Sequence, residues 1–409
     1  MHRGRQGWFR PTEAYPTTQS VLAPTEHFAD RRSLPILSAM IANSPSDRRV
    51  ANLRVRVLHA PWVDPPRFSP TYDRPRELLV VEVETAGGIV GMGYLQLLAG
   101  GTATVAACLD ELVRPHVIGR DVTEVEAIWR DLWRANYWVG RMGITILAQS
   151  AVDVALWDAI GKLAGLPLFR LWGGASRSLP AYGSGCWRGL GGDGMIAKAK
   201  AYVDQGFRAI KMQAGHLYDD NTDVAHVAAM RDALGPDIDI CVDVNMGWTA
   251  DQAIAVGRRF EQHGVYWIEE PVPCEDFAGY LRIAEALDTR IVGGETHYTR
   301  YDLRPFFEHP RIPILQPDVM RGGLTELRRI AATADTWSMR IAPHLFPELM
   351  VHLMAAVPNP HWIEYVNWLD DAWVEPVLPQ DGVYLPPERP GHGLTFRDDF
   401  LADHTVSPA

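Results

Sequence analysis

The chain has 409 residues, 47% apolar and 22% charged, a globular composition with enough length for a large barrel and a second domain. Its formal charge of −11 argues against nucleic acid, which selects a basic stripe, and means that an anionic ligand would need a local cation. Cys108, Cys186, Cys241 and Cys274 stand apart with no Cys-x-x-Cys spacing, so neither a disulfide framework nor a thiolate zinc site is expected, and a cytoplasmic location fits.

Residues 1–50 are rich in Pro, Ser, Thr and Arg, lack a sustained period and read as a flexible leader. Within them, the apolar run 34–42 follows Arg31-Arg32, but a long Pro-containing stretch is a poor signal n-region, so a leader, or a start at Met40, is the expectation. No apolar run approaches the roughly 18 residues of a membrane span, and no membrane contact is expected. Residues 53–60 alternate, 77–85 (ELLVVEVET) form a strand ending at Gly87-Gly88, and 89–95 return as its hairpin partner. A Pro-rich loop, 61–75, is long enough to fold over something. Helical patterns follow at 104–113 and at 144–164, the second with Ile144, Leu147, Ala151, Val154, Ala155 and Ile160 on one face before Gly165-Leu166-Pro167. Strands then helices give an α+β domain over 51–174.

After Gly173-Gly174, eight short β-rich runs alternate with helical stretches such as 250–263 and 324–337: 179–183, 209–213, 238–243, 266–269, 290–293, 312–316, 340–343 and 362–365. This is the signature of a parallel (β/α)8 TIM barrel, here over 175–370, in an α/β protein. A loop-like segment, 371–409, carries a turn at Gly391–Gly393, and its middle part is expected to run back to the first domain.

Polar residues at the C-terminal ends of barrel strands face the active site. Asp243, Glu269 and Glu295 fall at such ends 26 positions apart, about one strand–helix unit, so they should converge from neighbouring strands at one height. Three oxygen donors of this kind suit a hard cation, Mg²⁺ or Mn²⁺. Asp318 and His344, again 26 apart, supply a carboxylate and an imidazole. A histidine held by a carboxylate is fixed in one tautomer and made more basic, which suits general acid/base chemistry.

In chain order, IKMQ (210–213), VDVN (242–245), WIEEP (267–271), GGE (293–295), QPDVMRGG (316–323), APHLF (342–346) and HWIEY (361–365) resemble the enolase superfamily, and within it the mandelate racemase subgroup, over about residues 53–395. The resemblance implies a modified barrel with Asp243, Glu269 and Glu295 as Mg²⁺ ligands and Asp318–His344 as the acid/base dyad. It makes Glu364 an electrophile toward the substrate carboxylate as an enediolate forms. The first domain would cap the site, with loop 61–75 reading the distal end of the substrate, the tail would return to that cap, and the protein would be a homo-oligomer.

One departure matters. The subgroup typically has Lys-x-Lys on the second strand, the second lysine being a base that faces the histidine; here the residues are Lys211-Met212-Gln213, and an amide neither takes nor gives a proton near neutrality. Lys211 remains, to neutralise a substrate carboxylate or Glu270, the neighbour of Glu269, or to act as a base itself. A one-base reaction is then expected: His344 takes the α-proton and protonates a departing β-hydroxyl, the dehydration of an acid sugar to a 2-keto-3-deoxy acid. The alternatives are a racemase, epimerase or cycloisomerase that uses the same enediolate, or a noncatalytic relative that binds metal and ligand. Trp187, Gln213, Asn245, Trp248, His297, Tyr298 and Arg321 are candidate contacts to a small polyhydroxy carboxylate, with His297 foremost because it follows Glu295 by two residues.

Overall fold

The computed structural model describes residues 44–69 and 71–406; the run 34–42 and Met40 lie outside the described residues. Strand β1 (Val50–Ala60) pairs antiparallel with β2 (Arg76–Thr85), and β2 with β3 (Val90–Leu97), as the alternation and the Gly87-Gly88 turn predict. Regular contacts begin earlier than the expected leader boundary: Arg48 pairs with Asp121 at 3.0 Å, and Arg49 forms an antiparallel bridge to the same residue.

The helix Ile144–Ala164 has the predicted bounds but is buried on nearly every side rather than along one face. It is sandwiched between β3 and the barrel helix Gly323–Thr336. Gly91 and Gly93 let its backbone touch the sheet, since a Cβ at either would lie 2.1 Å from the carbonyl oxygen of Ala155 or Ala151. This double burial explains its composition. By length and apolarity the helix passes as a membrane span, contrary to the expectation, yet 89% of the window concerned is buried inside the protein, as in a core helix. The helical pattern at 104–113 resolves into Thr102–Cys108 and a π-turn, Leu109–Val113, just before Pro115, which lacks a backbone donor. A further helix, Val125–Ala135, occupies a stretch to which the pattern reading assigns no element, although Val125, Ile128, Trp129 and Leu132 recur on one face and are all buried.

Eight parallel strands form the barrel: β4 (Leu179–Cys186), β5 (Ala209–Gln213), β6 (Asp239–Asp243), β7 (Val265–Glu269), β8 (Arg290–Val292), β9 (Ile314–Leu315), β10 (Arg340–Ile341) and β11 (Ile363–Tyr365). Pairing runs β11-β4-β5-β6-β7-β8 and β9-β10, and the parallel bridges Gly293↔Leu315 and Ile341↔Pro360 close the ring. Tyr182, Ala209, Cys241, Trp267, Val292, Ile314 and Ala342 fill its interior. The four cysteines are free.

The tail is more structured than its loop-like pattern suggests. It supplies β12 (Val383–Tyr384) to β4, the helix Asp398–His404 and β13 (Thr405–Val406), which pairs with β1. Between these, His392 accepts no solvent contact: its backbone N–H donates to Asp158 at 3.1 Å, and its ring meets the Met92 carbonyl at 2.7 Å. The return to the first domain is thus made by the middle of the tail and by its end.

Other buried carboxylates join the two domains as well. Asp153 accepts from the Thr325 backbone N–H at 2.9 Å, and Tyr94 donates its hydroxyl to Glu348. Burial pushes the Glu348 carboxyl up to about 7, against the opposing hydrogen bond from Tyr94. Its folded value lies above its unfolded one, so the stability tied to its protonation is complete at acid pH and is lost as pH rises through about 7. Wild-type protein is therefore expected to lose stability between pH 5 and 8, by on the order of 3 kcal/mol from this group. Glu348→Gln should flatten that part of the profile in denaturant titrations; an unchanged slope would rule the assignment out.

Candidate active site

The register of the barrel sets the height of the site. Gln213, Asp243 and Glu269 are direct partners across β5, β6 and β7, and the period of two turns Lys211 and Gln213, and likewise Trp267 and Glu269, to one side. Glu295 lies three residues beyond the end of β8, and Asp318 and His344 follow β9 and β10 as partners in an isolated parallel bridge. A cavity of about 330 Å³ opens over these strand ends, lined by Lys211, Gln213, Asp243, Glu295, Asp318, His344 and Glu364 among others.

Two hydrogen-bonded systems organise it. In the first, His344 Nδ1 meets Asp318 Oδ2 at 2.7 Å while Asp318 Oδ1 accepts from the Met320 backbone N–H at 2.6 Å, so the carboxylate is braced before it holds the ring. His344 Nε2 lies 3.5 Å from Glu295 Oε1. Burial alone would lower the imidazole, but Glu295, the Asp318 hydrogen bond and Glu364 outweigh it and push His344 up to about 10. In the second, Lys211 Nζ bridges Glu269 Oε1 at 2.7 Å and Glu364 Oε1 at 2.8 Å, all three groups being buried. Glu364 Oε2 accepts from the Leu345 backbone N–H at 2.9 Å. Burial would raise Glu364, yet Lys211 and His344 hold it down to about 2. It is therefore a carboxylate with both oxygens occupied, and the electrophilic role implied by the resemblance would require it to gain a proton. Lys211 pairs with Glu269 rather than Glu270, whose Oε1 accepts from Thr296 Oγ1 at 2.6 Å.

The three expected metal ligands share this wall but do not meet at one point. Among the described residues, no three His, Cys, Asp or Glu side chains are drawn close enough to hold an ion as they stand: Asp243 and Glu269 are register partners, and Glu295 stands three residues past the end of β8. Neighbouring donors occupy two of the three carboxylates. Asn245 donates its backbone N–H and its Nδ2 to the two Asp243 oxygens at 2.9 and 2.7 Å, and Glu269 receives Trp267 Nε1 at 3.1 Å besides Lys211. The donor set nevertheless fits a divalent cation. Glu295 Oε2 is buried with no hydrogen-bond partner, and burial pushes Glu269 well above the usual carboxylate range and Glu295 up to about 7, the Asp243 charge adding to both. Carboxylates crowded in this way are what a cation relieves.

Gln213 is held as an amide: its Nε2 donates to Asn245 Oδ1 at 2.8 Å, and its Oε1 accepts from the Arg188 backbone N–H at 3.4 Å. Around the closed ring, β5 is three strand steps from β10, which puts Gln213 on the other side of the cavity from His344. Asn245, Arg321, Trp187 and Tyr298 also line the cavity, whereas Trp248 is buried away from it. His297 does not line it either. After Glu295 the chain leaves the strand in a turn closed by His297 N–H to Gly294 O at 3.2 Å, which carries the ring between Phe277 and Phe306, where Nε2 meets the Cys274 carbonyl at 2.9 Å.

A family model described as "Enolase C-terminal domain-like" matches residues 194–400, and one for the mandelate racemase / muconate lactonizing enzyme N-terminal domain matches residues 52–173. This chain belongs to the mandelate racemase / muconate lactonizing enzyme family of the enolase superfamily. It is 36% identical over 322 residues to a 3,6-anhydro-alpha-L-galactonate cycloisomerase of Streptomyces coelicolor, covering 78% of this chain and 89% of that protein. It is 31% identical over 344 residues to an arabinonate dehydratase of Saccharolobus solfataricus, covering 81% and 91%. Among solved structures, a racemase from Streptomyces coelicolor with bound magnesium superposes with a TM-score of 0.83 at 34% identity, covering 87% of this chain and all of the other. An L-talarate dehydratase from Polaromonas sp. JS666, complexed with Mg and L-glucarate, superposes at 0.79 with 33% identity, covering 88% and 98%.

Arg188 is a site residue the sequence reading does not single out. Its guanidinium is buried and hydrogen-bonded to Asn245 Oδ1, which ties Asn245, Gln213 and Asp243 together. The missed signal lies in Gly183, which reads as the end of a strand. The strand in fact runs on to Cys186, and Gly183 is there because a Cβ would lie 2.4 Å from the Tyr202 ring.

Proposed function

We propose that this chain is a divalent-metal-dependent hydro-lyase of acid sugars, which removes the proton α to a carboxylate and expels the β-oxygen to leave a 2-keto-3-deoxy acid. The observation that carries this reading is the asymmetry of the cavity: one braced imidazole, His344 on Asp318, and across from it an amide, Gln213, locked to Asn245. The names of the relatives, dehydratases and cycloisomerases, and the magnesium in related structures support it.

Asp243, Glu269 and Glu295 would hold the cation, and Mg²⁺ bound there supplies electrophilic stabilisation for negative charge developing on the substrate carboxylate. Lys211 adds a fixed positive charge in the same buried region, with Glu364 keeping it in place. His344 Nε2 takes the α-proton while Asp318 stabilises the resulting imidazolium through Nδ1. The electron pair of the broken C–H bond forms the Cα–Cβ double bond as the Cβ–O bond breaks. The proton on His344 goes to the departing oxygen, water leaves, and the enol tautomerises to the ketone. When the β-oxygen belongs to a ring, the same steps open the ring and release nothing, so cycloisomerisation uses the same residues. A noncatalytic role leaves the braced dyad without a purpose.

The test is to incubate the enzyme with Mg²⁺ and an acid-sugar library and to trap 2-keto acids with semicarbazide. Keto product from at least one member is expected, and none from any member with folded protein would overturn the reading. Gln213→Lys in deuterated solvent is expected to create α-proton exchange on the face opposite His344.

A further inference from the structure

The two domains supply different chemistry to the cavity. Its charged groups come from the barrel, whereas the capping domain contributes Phe68, Leu97, Leu98, Ala99 and Leu147, with Gln96 as its polar side chain among the described residues. The ring faces of Trp187 and Trp368 extend the apolar wall: they stack at 5.4 Å, and Phe68 meets Trp187 edge-on at 5.3 Å, while the buried Trp187 Nε1 has no partner. None of the charged residues of the capping loop, Asp64, Arg67, Asp73 and Arg74, lines the cavity. Asp64 pairs with Lys198, and Arg74 donates to the Ala99 carbonyl at 3.1 Å. Arg321, the lining cation without a carboxylate partner among the described residues, stands on the barrel wall three residues after Asp318. Its Nη1 donates to Tyr298 Oη at 2.6 Å, and its guanidinium lies over the same ring at 4.8 Å.

We infer that the substrate is a monocarboxylic sugar acid whose end remote from the carboxylate is uncharged and poor in hydroxyls, an anhydro- or deoxyaldonate rather than an aldarate; this rests on the β-elimination chemistry proposed above, whether water or a ring oxygen departs. With its carboxylate among the charged strand ends, the rest of such a molecule faces the capping wall. A second carboxylate there would lose its hydration without gaining a counter-charge, and each additional hydroxyl would need a partner that leucine and phenylalanine cannot give. The indole and phenyl faces instead suit the C–H surface of a compact ring. Gln96 Nε2 and Trp187 Nε1 are both buried and unpartnered, so this wall has two donors left for ring or hydroxyl oxygens. A volume of about 330 Å³ is at the small end for ligand sites and admits one such acid rather than an oligosaccharide.

The test compares kcat/KM for keto-acid formation, with Mg²⁺ present, among anhydro- and deoxyaldonates, open-chain aldonates and aldarates. The expected order is that sequence, with aldarates lower than the first class by on the order of a hundredfold or more. Leu98→Arg is expected to narrow that gap at least tenfold by giving a distal carboxylate a partner. Should that variant not fold, Gln96→Leu serves instead, with KM for the anhydroaldonate rising severalfold and kcat little changed. Aldarates turned over as well as the first class, especially if Arg321→Met selectively removes that turnover, would overturn the inference and leave the hydro-lyase reading standing. Turnover of none of the three classes would overturn the hydro-lyase reading itself.

Discussion

Replacing His344 with asparagine is expected to lower kcat for keto-acid formation by on the order of 10⁴-fold, because one imidazole both removes the α-proton and delivers it to the leaving oxygen. The substitution is conservative where the fold is concerned. An asparagine amide keeps a donor toward Asp318, which now lies 2.7 Å from His344 Nδ1, so the melting temperature should change by only a few degrees. The base acts when neutral, so wild-type kcat/KM should fall as pH drops through the imidazole pKa. The structure shows what raises that pKa: Glu295, the Asp318 hydrogen bond and Glu364 together outweigh burial. Compensating the Glu295 charge removes the first of these raising causes. Activity of His344→Asn within tenfold of wild type would sink the mechanism.

Stripping the enzyme with a chelator is expected to reduce turnover at least 10³-fold, and added Mg²⁺ should restore it. The argument rests on charge. Asp243, Glu269 and Glu295 crowd one wall, burial and mutual repulsion raise Glu269 and Glu295, and the offsetting charges are Lys211, which also pairs with Glu364, and His344 beside Glu295. Glu295→Gln removes the carboxylate that has a bare buried oxygen, and should weaken Mg²⁺ binding in a calorimetric titration by tenfold or more. Unchanged turnover in excess chelator would refute a metal requirement.

Much of this molecule is written in local patterns. The period of two in β1 to β3 and the repeated strand–helix unit give both domains, because alternation and helical periodicity are properties of neighbouring residues. The spacing of 26 from Asp243 to Glu269 matches their register, whereas Glu269 pairs with Val292, so Glu295, also 26 on, stands three residues beyond that height. Legibility fails where the chain leaves its strands. Asn245, Glu270, Gly294, Leu345 and Phe346 all take positive φ just past strand ends, and beyond such points a period no longer tells which way a side chain faces. His297 is the consequence: two residues past Glu295, it is turned into a phenylalanine pocket instead of the cavity.

By itself, then, the sequence determined the family, the barrel and its cap, and which acids, histidine and lysine occupy the strand ends, because motif order and period survive without three-dimensional contacts. Only the tertiary structure decided how those groups are shared. Lys211 pairs with a carboxylate from the far end of the barrel sequence, Glu364, because the ring closes β11 against β4. Asn245 and Trp267 claim the lone pairs expected for metal, and Arg188 joins the site through a strand longer than its glycines suggest. The apolar capping wall, which bears on substrate choice, exists only when the β3 end and the Ile144–Ala164 helix are folded over the strand ends. Each of these depends on contacts between residues far apart in the chain, which no local pattern encodes.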